Sequence, residues 1–252
     1  NIPINTIFKN CSTLIYVIDA HEADYEDALP KLVDTITFAY NINKNIHFEV
    51  FLHKLDGDFM SEETKNERQQ GIQNYVSSEF AESNGEVLVS YHLTSIYDHS
   101  SSEAFSKVIQ KLVPQLPTLN NLLDILISSC NIDKSFLIDV VTKLYIATDS
   151  NPVDVHKYEL CSDLVDVIID VSYIYGTNPD GQTIAPYDRN SSSVIRLNNG
   201  EVLYLRAVSN YLALVCLIRD EYFVKRALVD YNIDCFRSSI EKVFKETKHH
   251  NS

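Results

Sequence analysis

"EVFLHKLDGD", residues 49–58, begins as a hydrophobic strand and stops on His53, Lys54 and Asp56, with Gly57 directly behind. A continuous apolar run is the mark of a strand covered on both faces, as in parallel sheets. In such sheets ligands sit at the carboxyl ends of the strands. The polar cluster at 53–56 therefore marks a strand end and a candidate site at once, provided the flanking sequence supplies the rest of the sheet.

It does so by pattern. Upstream, "TLIYVIDA" (13–20) is a second apolar run, ending at Asp19. "YEDALPKLVDTITFAYNIN" (25–43) then carries Leu29, Leu32, Val33, Ile36, Ala39 and Tyr40 at helical spacing. Downstream, "SEETKNERQQGIQNYVSSEFAE" (61–82) reads as a polar-faced helix. Ser61 is its N-cap, and Glu62 and Glu63 lie in the first turn, where the helix dipole favours negative charge. The capping box is incomplete, because Thr64 stands where Glu or Gln is needed. "EVLVSYHLTSIYD" (86–98) is a third strand, and "SEAFSKVIQKLV" (102–113) a helix stopped by Pro114 and Pro117. Strand and helix alternating at these lengths predict a parallel α/β unit with crossover connections.

After "PQLP" the rhythm changes. "TLNNLLDILISSC" (118–130) reads as a helix capped by Thr118, and "SFLIDVVTKLYIATD" (135–149) as two strands around a turn at 141–143. "DVHKYELCSDLVDVIIDVSYIYG" (154–176) is a long amphipathic helix, followed by a polar loop at 178–192. Three strands follow, two of them joined by the hairpin signal "NNG" at 198–200, and the helix 231–248 closes the chain. This is a separate α+β module. The boundary falls near 114–118, which divides the chain into residues 1–116 and 117–252.

The 252 residues carry a formal net charge of −14 and no basic run, which argues against nucleic-acid binding. Five scattered cysteines without C-x-x-C spacing predict buried thiols in a reducing, intracellular compartment. The longest apolar run, "YLALVCLI" (211–218), is far short of the about 18 residues of a membrane span. No signal peptide is visible. Membrane attachment is therefore expected through a partner. The chain begins with Asn1 and its single methionine is Met60, which predicts a fragment or a processed product.

The strand end has a specific chemistry. The carboxylate of Asp56 offers two acceptors side by side, suited to the N1–H and amino edge of guanine in a charge-assisted bidentate pair. Lys54 can lay its aliphatic stem along a flat base. The neighbouring strand ends in Thr94 and Ser95, where backbone N–H groups suit the guanine O6. K-x-D alone is short enough to recur by chance; the second strand end beside it gives it weight. Other features read as structure. Asp19 and Asp24 near His21 suggest a metal site less than strand-end and helix-start acids. His249 and His250 read as a disordered tail, and Cys161 and Cys216 as core. Tyr173 and Tyr175 pack at an interface or cover the sheet. "DLVDVIID" and "ALVCLI" are more apolar than a small lone sheet requires, which points to a paired domain, with ordinary core as the other reading. No Ser-His-Asp or Cys-His arrangement has sequence support.

The stretches "YVIDA", "FEVFLHKLDG", "YHLTSIYDHSSSEAFSKVIQKLVPQLPTLNNLLDILI", "KSFLIDVVTKLYIATDSNPVDVHKYELCSDLVDVIIDVS", "YLALVCLIRDE" and "VDYNIDCF" resemble the Rag GTPases of the C/D class, including their fungal orthologue. The resemblance covers essentially the whole chain. It implies the C-terminal part of a Ras-like P-loop GTPase domain, starting after switch II, followed by an α+β roadblock/longin-like dimerisation domain. In the family, guanine is recognised by H-K-x-D, matched by His53, Lys54 and Asp56, and by a second motif, matched by Ser95 and Ile96. The resemblance also implies GTP/GDP with Mg2+ as ligands of the intact protein and slow GTP hydrolysis. Implied partners are an A/B-type Rag, bound through residues 117–252, a roadblock-based scaffold and TOR complex 1. The implied place is the cytoplasm, with recruitment to the lysosomal or vacuolar membrane, and the role is relaying amino-acid sufficiency. "HEADY" departs from the family's stretch by a short insertion. A GTPase needs G-x-x-x-x-G-K-[ST] to cradle phosphates and hold Mg2+, and none of the six glycines is spaced that way. "TLIYVIDA" then lacks the neighbour it has in a Ras-like sheet, and an unpaired apolar edge is an aggregation hazard. The chain alone is expected not to bind nucleotide usefully, and no catalytic residue falls in it. The alternative is a non-enzymatic roadblock-type adaptor whose first half is a remnant.

Overall fold

The structure, a computed structural model, describes residues 3–21, 25–56, 60–81, 87–175 and 186–250, with side chains to 245. By its contacts the chain divides into two compact units, Asn1–Val108 and Ile109–Ser252.

In the first unit, β1 (Thr13–Asp19), β2 (His47–His53) and β3 (Val89–Thr94) form a parallel sheet in that order. Helix α1 (Ile4–Lys9) precedes it, α2 (Leu29–Ile42) links β1 to β2, and α3 (Glu62–Ala81) links β2 to β3. Phe48, Val50 and Leu52 of β2 pack with Leu32 and Ile36 of α2 and Ile72 and Val76 of α3. The other face of β2 turns Phe51 toward Ala104 and Val108 of α4 (Ser100–Leu112). Glu49 is buried on β2 and its Oε2 lies 2.8 Å from His92 Nε2 of β3, which accounts for an acid inside an apolar run. Among the described residues β1 is an edge strand, with Val17 exposed.

Ser61 caps α3 as its type predicts: its Oγ accepts the Thr64 N–H at 3.2 Å. The Thr64 hydroxyl lies 2.9 Å from the Ser61 hydroxyl, so it meets the cap's side chain rather than its backbone. Ser61→Ala is expected to cost about 1 kcal/mol of stability, read from the urea unfolding midpoint. Helix α1 was not expected from the pattern. It has six residues and buries none of them, so no apolar stripe signals it.

The second unit is a five-stranded antiparallel sheet. Its elements are α5 (Leu116–Cys130), β4 (Ile132–Asp139), β5 (Tyr145–Thr148), α6 (Val155–Tyr175), β6 (Ser192–Arg196), β7 (Glu201–Ala207), β8 (Leu212–Arg219), α7 (Asp220–Phe223) and α8 (Arg226–His250). The strand order is β5-β4-β8-β7-β6. Leu119, Leu123 and Leu126 of α5, with Val229, Ile233 and Phe236 of α8, cover one face. Tyr158, Cys161, Leu164 and Val165 of α6 cover the other. With β8 the central strand, between β4 and β7, "ALVCLI" is buried throughout. That stretch is core, and the surplus apolar surface lies elsewhere, on α6.

Several boundaries differ from the pattern reading. Helix α5 starts at Leu116, with Pro117 in its first turn, where a missing N–H costs nothing. Thr118 is thus inside the helix, its N–H bonded to Gln115 O at 3.0 Å, and is not the cap. Helix α4 starts at Ser100 and α8 at Arg226, each earlier than its apolar stripe, and the backbone of α8 runs to His250 where a tail was expected. Asn131, at φ 52°, is the single residue between α5 and β4; its N–H bonds Ile127 O. At the hairpin, Gly200 takes φ 83° as the "NNG" signal requires.

Candidate functional site

The sequence places two motifs at strand ends, and the sheet makes those ends neighbours. His53 and Thr94 are register partners on β2 and β3, so the segments after them, 54–56 and 95–97, leave side by side. Ser95 is buried and its hydroxyl donates to Asp56 Oδ1. The Tyr97 N–H in turn bonds Ser95 Oγ at 3.0 Å. From α4, Ser100 Oγ accepts the Ser95 N–H at 2.8 Å, and the Ser101 hydroxyl donates to Ser95 O at 2.6 Å. The turn after β3 is therefore held from both sides, and Asp56 is oriented through it.

This bonding leaves one donor in the turn. The N–H groups of Ser95 and Tyr97 are engaged; among the described residues, that of Ile96 is not. Ile96 is 71 % exposed. His53 Nδ1 lies 3.1 Å from Thr94 Oγ1, whose own proton goes to Leu52 O at 3.3 Å. The hydroxyl can then only accept from the ring, which puts the proton of neutral His53 on Nδ1.

Lys54 takes a left-handed φ of 63°, uncommon for a residue with a Cβ. That turn brings its ammonium to Asp19 Oδ2 at the end of β1, on the opposite side from Ser95. The ammonium, first by hydrogen bond and then by charge, holds the Asp19 carboxyl below its usual range. A carboxylate with a lowered folded value stabilises the fold above its unfolded value and loses that contribution as pH falls through the lowered one. In Lys54→Ala the Asp19 carboxyl is expected to titrate higher, followed by NMR; an unchanged titration would deny the pair.

All five residues read from the sequence, His53, Lys54, Asp56, Ser95 and Ile96, thus lie at two adjacent strand ends. Asp19 was read as a strand-end acid, and its tie to Lys54 depends on a backbone turn that no spacing encodes. Asp24 lies outside the described residues. Among those described, no group of His, Cys, Asp and Glu could hold a metal ion, and no helix is long and apolar enough to cross a membrane. Cys161 and Cys216 are buried, and burial pushes both thiols up, Cys161 to about 12. Tyr173 and Tyr175 are 67 % and 78 % exposed, so neither covers the sheet.

Residues 2–165 match the model of the Gtr1/RagA G protein conserved region. Human Ras-related GTP-binding protein C is 54 % identical over 239 residues, which is 94 % of this chain and 59 % of that protein. GTP-binding protein gtr2 of Schizosaccharomyces pombe is 49 % identical over 243 residues, 95 % of this chain and 76 % of that protein. The chain belongs to the Gtr/Rag family. It spans less than two thirds of the length of the mammalian relative. Its fold class is a stretch of the Gtr/Rag G-protein region carrying the parallel sheet, followed by an α+β module built on the five-stranded antiparallel sheet. Myxococcus xanthus MglB overlaps 53 % of this Gtr/Rag chain and 92 % of its own, with a TM-score of 0.41 at 17 % identity.

Proposed function

We propose that this chain carries the base-reading part of a Rag C/D-type GTP-binding protein. The observation that supports it most is the bond between Ser95 and Asp56, which converges two strand-end motifs on one spot. There the Asp56 carboxylate accepts from guanine N1–H and the amino group, the Ile96 N–H donates to O6, and the Lys54 stem lies along the ring. His53 and Ser95 orient the two turns. GTP and GDP, with Mg2+, are the ligands of the complete protein; this chain has no phosphate-loop motif and binds nucleotide weakly alone. The test is competition on the protein as its gene encodes it. GDP should displace a fluorescent GDP far better than IDP, which lacks the amino group, and ADP should fail. Equal displacement by GDP and ADP would sink the reading.

Residues 1–116 form the G-domain part and 117–252 the dimerisation part, which pairs with an A/B-type Rag. The exposed Val167, Val171, Ile174, Tyr173 and Tyr175 on α6 support a partnered surface there. The pair then docks on a roadblock-based scaffold at the lysosome or vacuole and relays amino-acid sufficiency to TOR complex 1, the nucleotide setting the state that partners read.

A second reading, which rests on the exposed face of α6 alone, is a non-enzymatic roadblock-type adaptor. The mass of the natural protein separates the two. A product well above 28.7 kDa with a phosphate loop supports the first; a natural product of 28.7 kDa supports the adaptor.

A further inference from the structure

Lys54 is held in a way that a surface ion pair does not need. Its backbone sits in the left-handed region, where an L side chain is disfavoured. The ammonium ends on Asp19 Oδ2. The other oxygen, Asp19 Oδ1, accepts the His21 N–H at 3.2 Å, so the carboxylate is itself anchored. The two strand ends are locked beneath it: Asp19 and His53 are register partners, and the Ala20 N–H bonds His53 O at 2.9 Å. The side chains remain accessible, 57 % for Lys54 and 33 % for Asp19, so stability gains little from the contact. What the arrangement does fix is the course of a four-carbon stem that would otherwise sample many rotamers.

We propose that Asp19 is a positioning residue of the base site: its carboxylate pins the Lys54 ammonium to the end of β1, so that the Lys54 stem is already laid out as one wall for a purine ring. This rests on the reading of 53–56 and 95–96 as a guanine site. Fixing a flexible side chain before binding removes its ordering cost from the binding step. Asp19 itself need not touch the base.

The experiment measures GDP affinity of the protein as its gene encodes it, with Asp19→Asn introduced into the wild type and into Lys54→Ala. In the wild-type background Asp19→Asn should weaken GDP about three- to tenfold. In the Lys54→Ala background it should change nothing, because there is no stem left to place. A merely structural role would give the same loss in both backgrounds, and that result, or no loss in either, would overturn the proposal. Asp56→Asn is measured alongside. If Asp56→Asn moves preference from GDP to XDP while Asp19→Asn is silent, the positioning role alone has failed. If Asp56→Asn leaves the preference unmoved, or the wild type does not bind GDP, the base site and the proposal fall together.

Discussion

Lys134→Met is expected to lower the unfolding free energy by about 3–5 kcal/mol. Lys134 lies on β4 and is 2 % exposed; Asp149, just past β5, is 3 % exposed. The ammonium bonds Asp149 Oδ1 at 3.1 Å, Asp149 O at 3.3 Å and Asn151 O at 2.5 Å. Asp149 Oδ2 accepts the Ser135 N–H at 2.7 Å and its hydroxyl at 3.1 Å, and Oδ1 accepts the Asn151 N–H at 3.0 Å. Each charge is therefore saturated, as a buried charge must be. Burial pushes the Lys134 ammonium below its usual value, and Asp149 pulls it back. Removing the cation leaves a buried carboxylate with neutral donors only, which is the costly way to break such a pair. Lys107→Met is the control. Its pair with Glu103 spans one turn of α4 at 2.7 Å and is half exposed at the lysine, so it should cost no more than about 0.5 kcal/mol. Urea unfolding of the two variants decides it: a Lys134→Met loss below about 1 kcal/mol would mean that Asp149 is not held as described.

Asp56→Asn should move nucleotide preference from guanine to xanthine by two to three orders of magnitude in the protein as its gene encodes it. Hydrogen bonds to a charged group contribute about 1.5–3 kcal/mol each. Asp56 offers two acceptors to the two donors of the guanine edge. Asn presents one acceptor and one donor, so one bond is lost and a donor faces a donor. Xanthine has a carbonyl in place of the amino group and restores two matched bonds with Asn. The Ser95 hydroxyl can still donate to the amide oxygen, so the turn that Asp56 Oδ1 now organises should persist. With tenfold for each 1.4 kcal/mol, a net change of about 3–4 kcal/mol gives the stated range. Competition with GDP and XDP checks it. A variant that still prefers GDP would show that Asp56 does not read the base.

Strands β1 and β2 of the first unit were legible because they are largely apolar runs, and the site was legible because polar residues end β2 and β3. What was not legible is instructive. Lys134 stands just before the strand read from 135, whereas β4 begins at Ile132 and includes it. In fact Ser135, Phe136, Leu137 and Ile138 are all buried with it, since β4 lies inside the sheet with helices on both faces. Its partner Asp149 comes from the next strand's end, and only the β4–β5 pairing brings them together. Pro117 reads as a helix stop yet opens a helix, because a proline serves either end of a boundary and the sequence does not say which. Asp19 read as no more than a strand-end acid because its partner reaches it through the positive φ of Lys54. The exposed tyrosines of α6 kept two readings open until their burial was known.

The lone Asn131 between α5 and β4 sets a rule about chain length. Side chains alternate across a strand, so one residue inserted at this joint would turn Lys134, Phe136 and Ile138 to the opposite face. Their present neighbours on α6 would lose them, and the ammonium would meet the leucines of α5. A loop absorbs such a change by bulging, whereas this one-residue joint runs straight into a strand whose pairing with β8 already shifts register between Ile132 and Lys134. Insertions and deletions are therefore better tolerated at the Leu197–Gly200 hairpin than between Cys130 and Ile132.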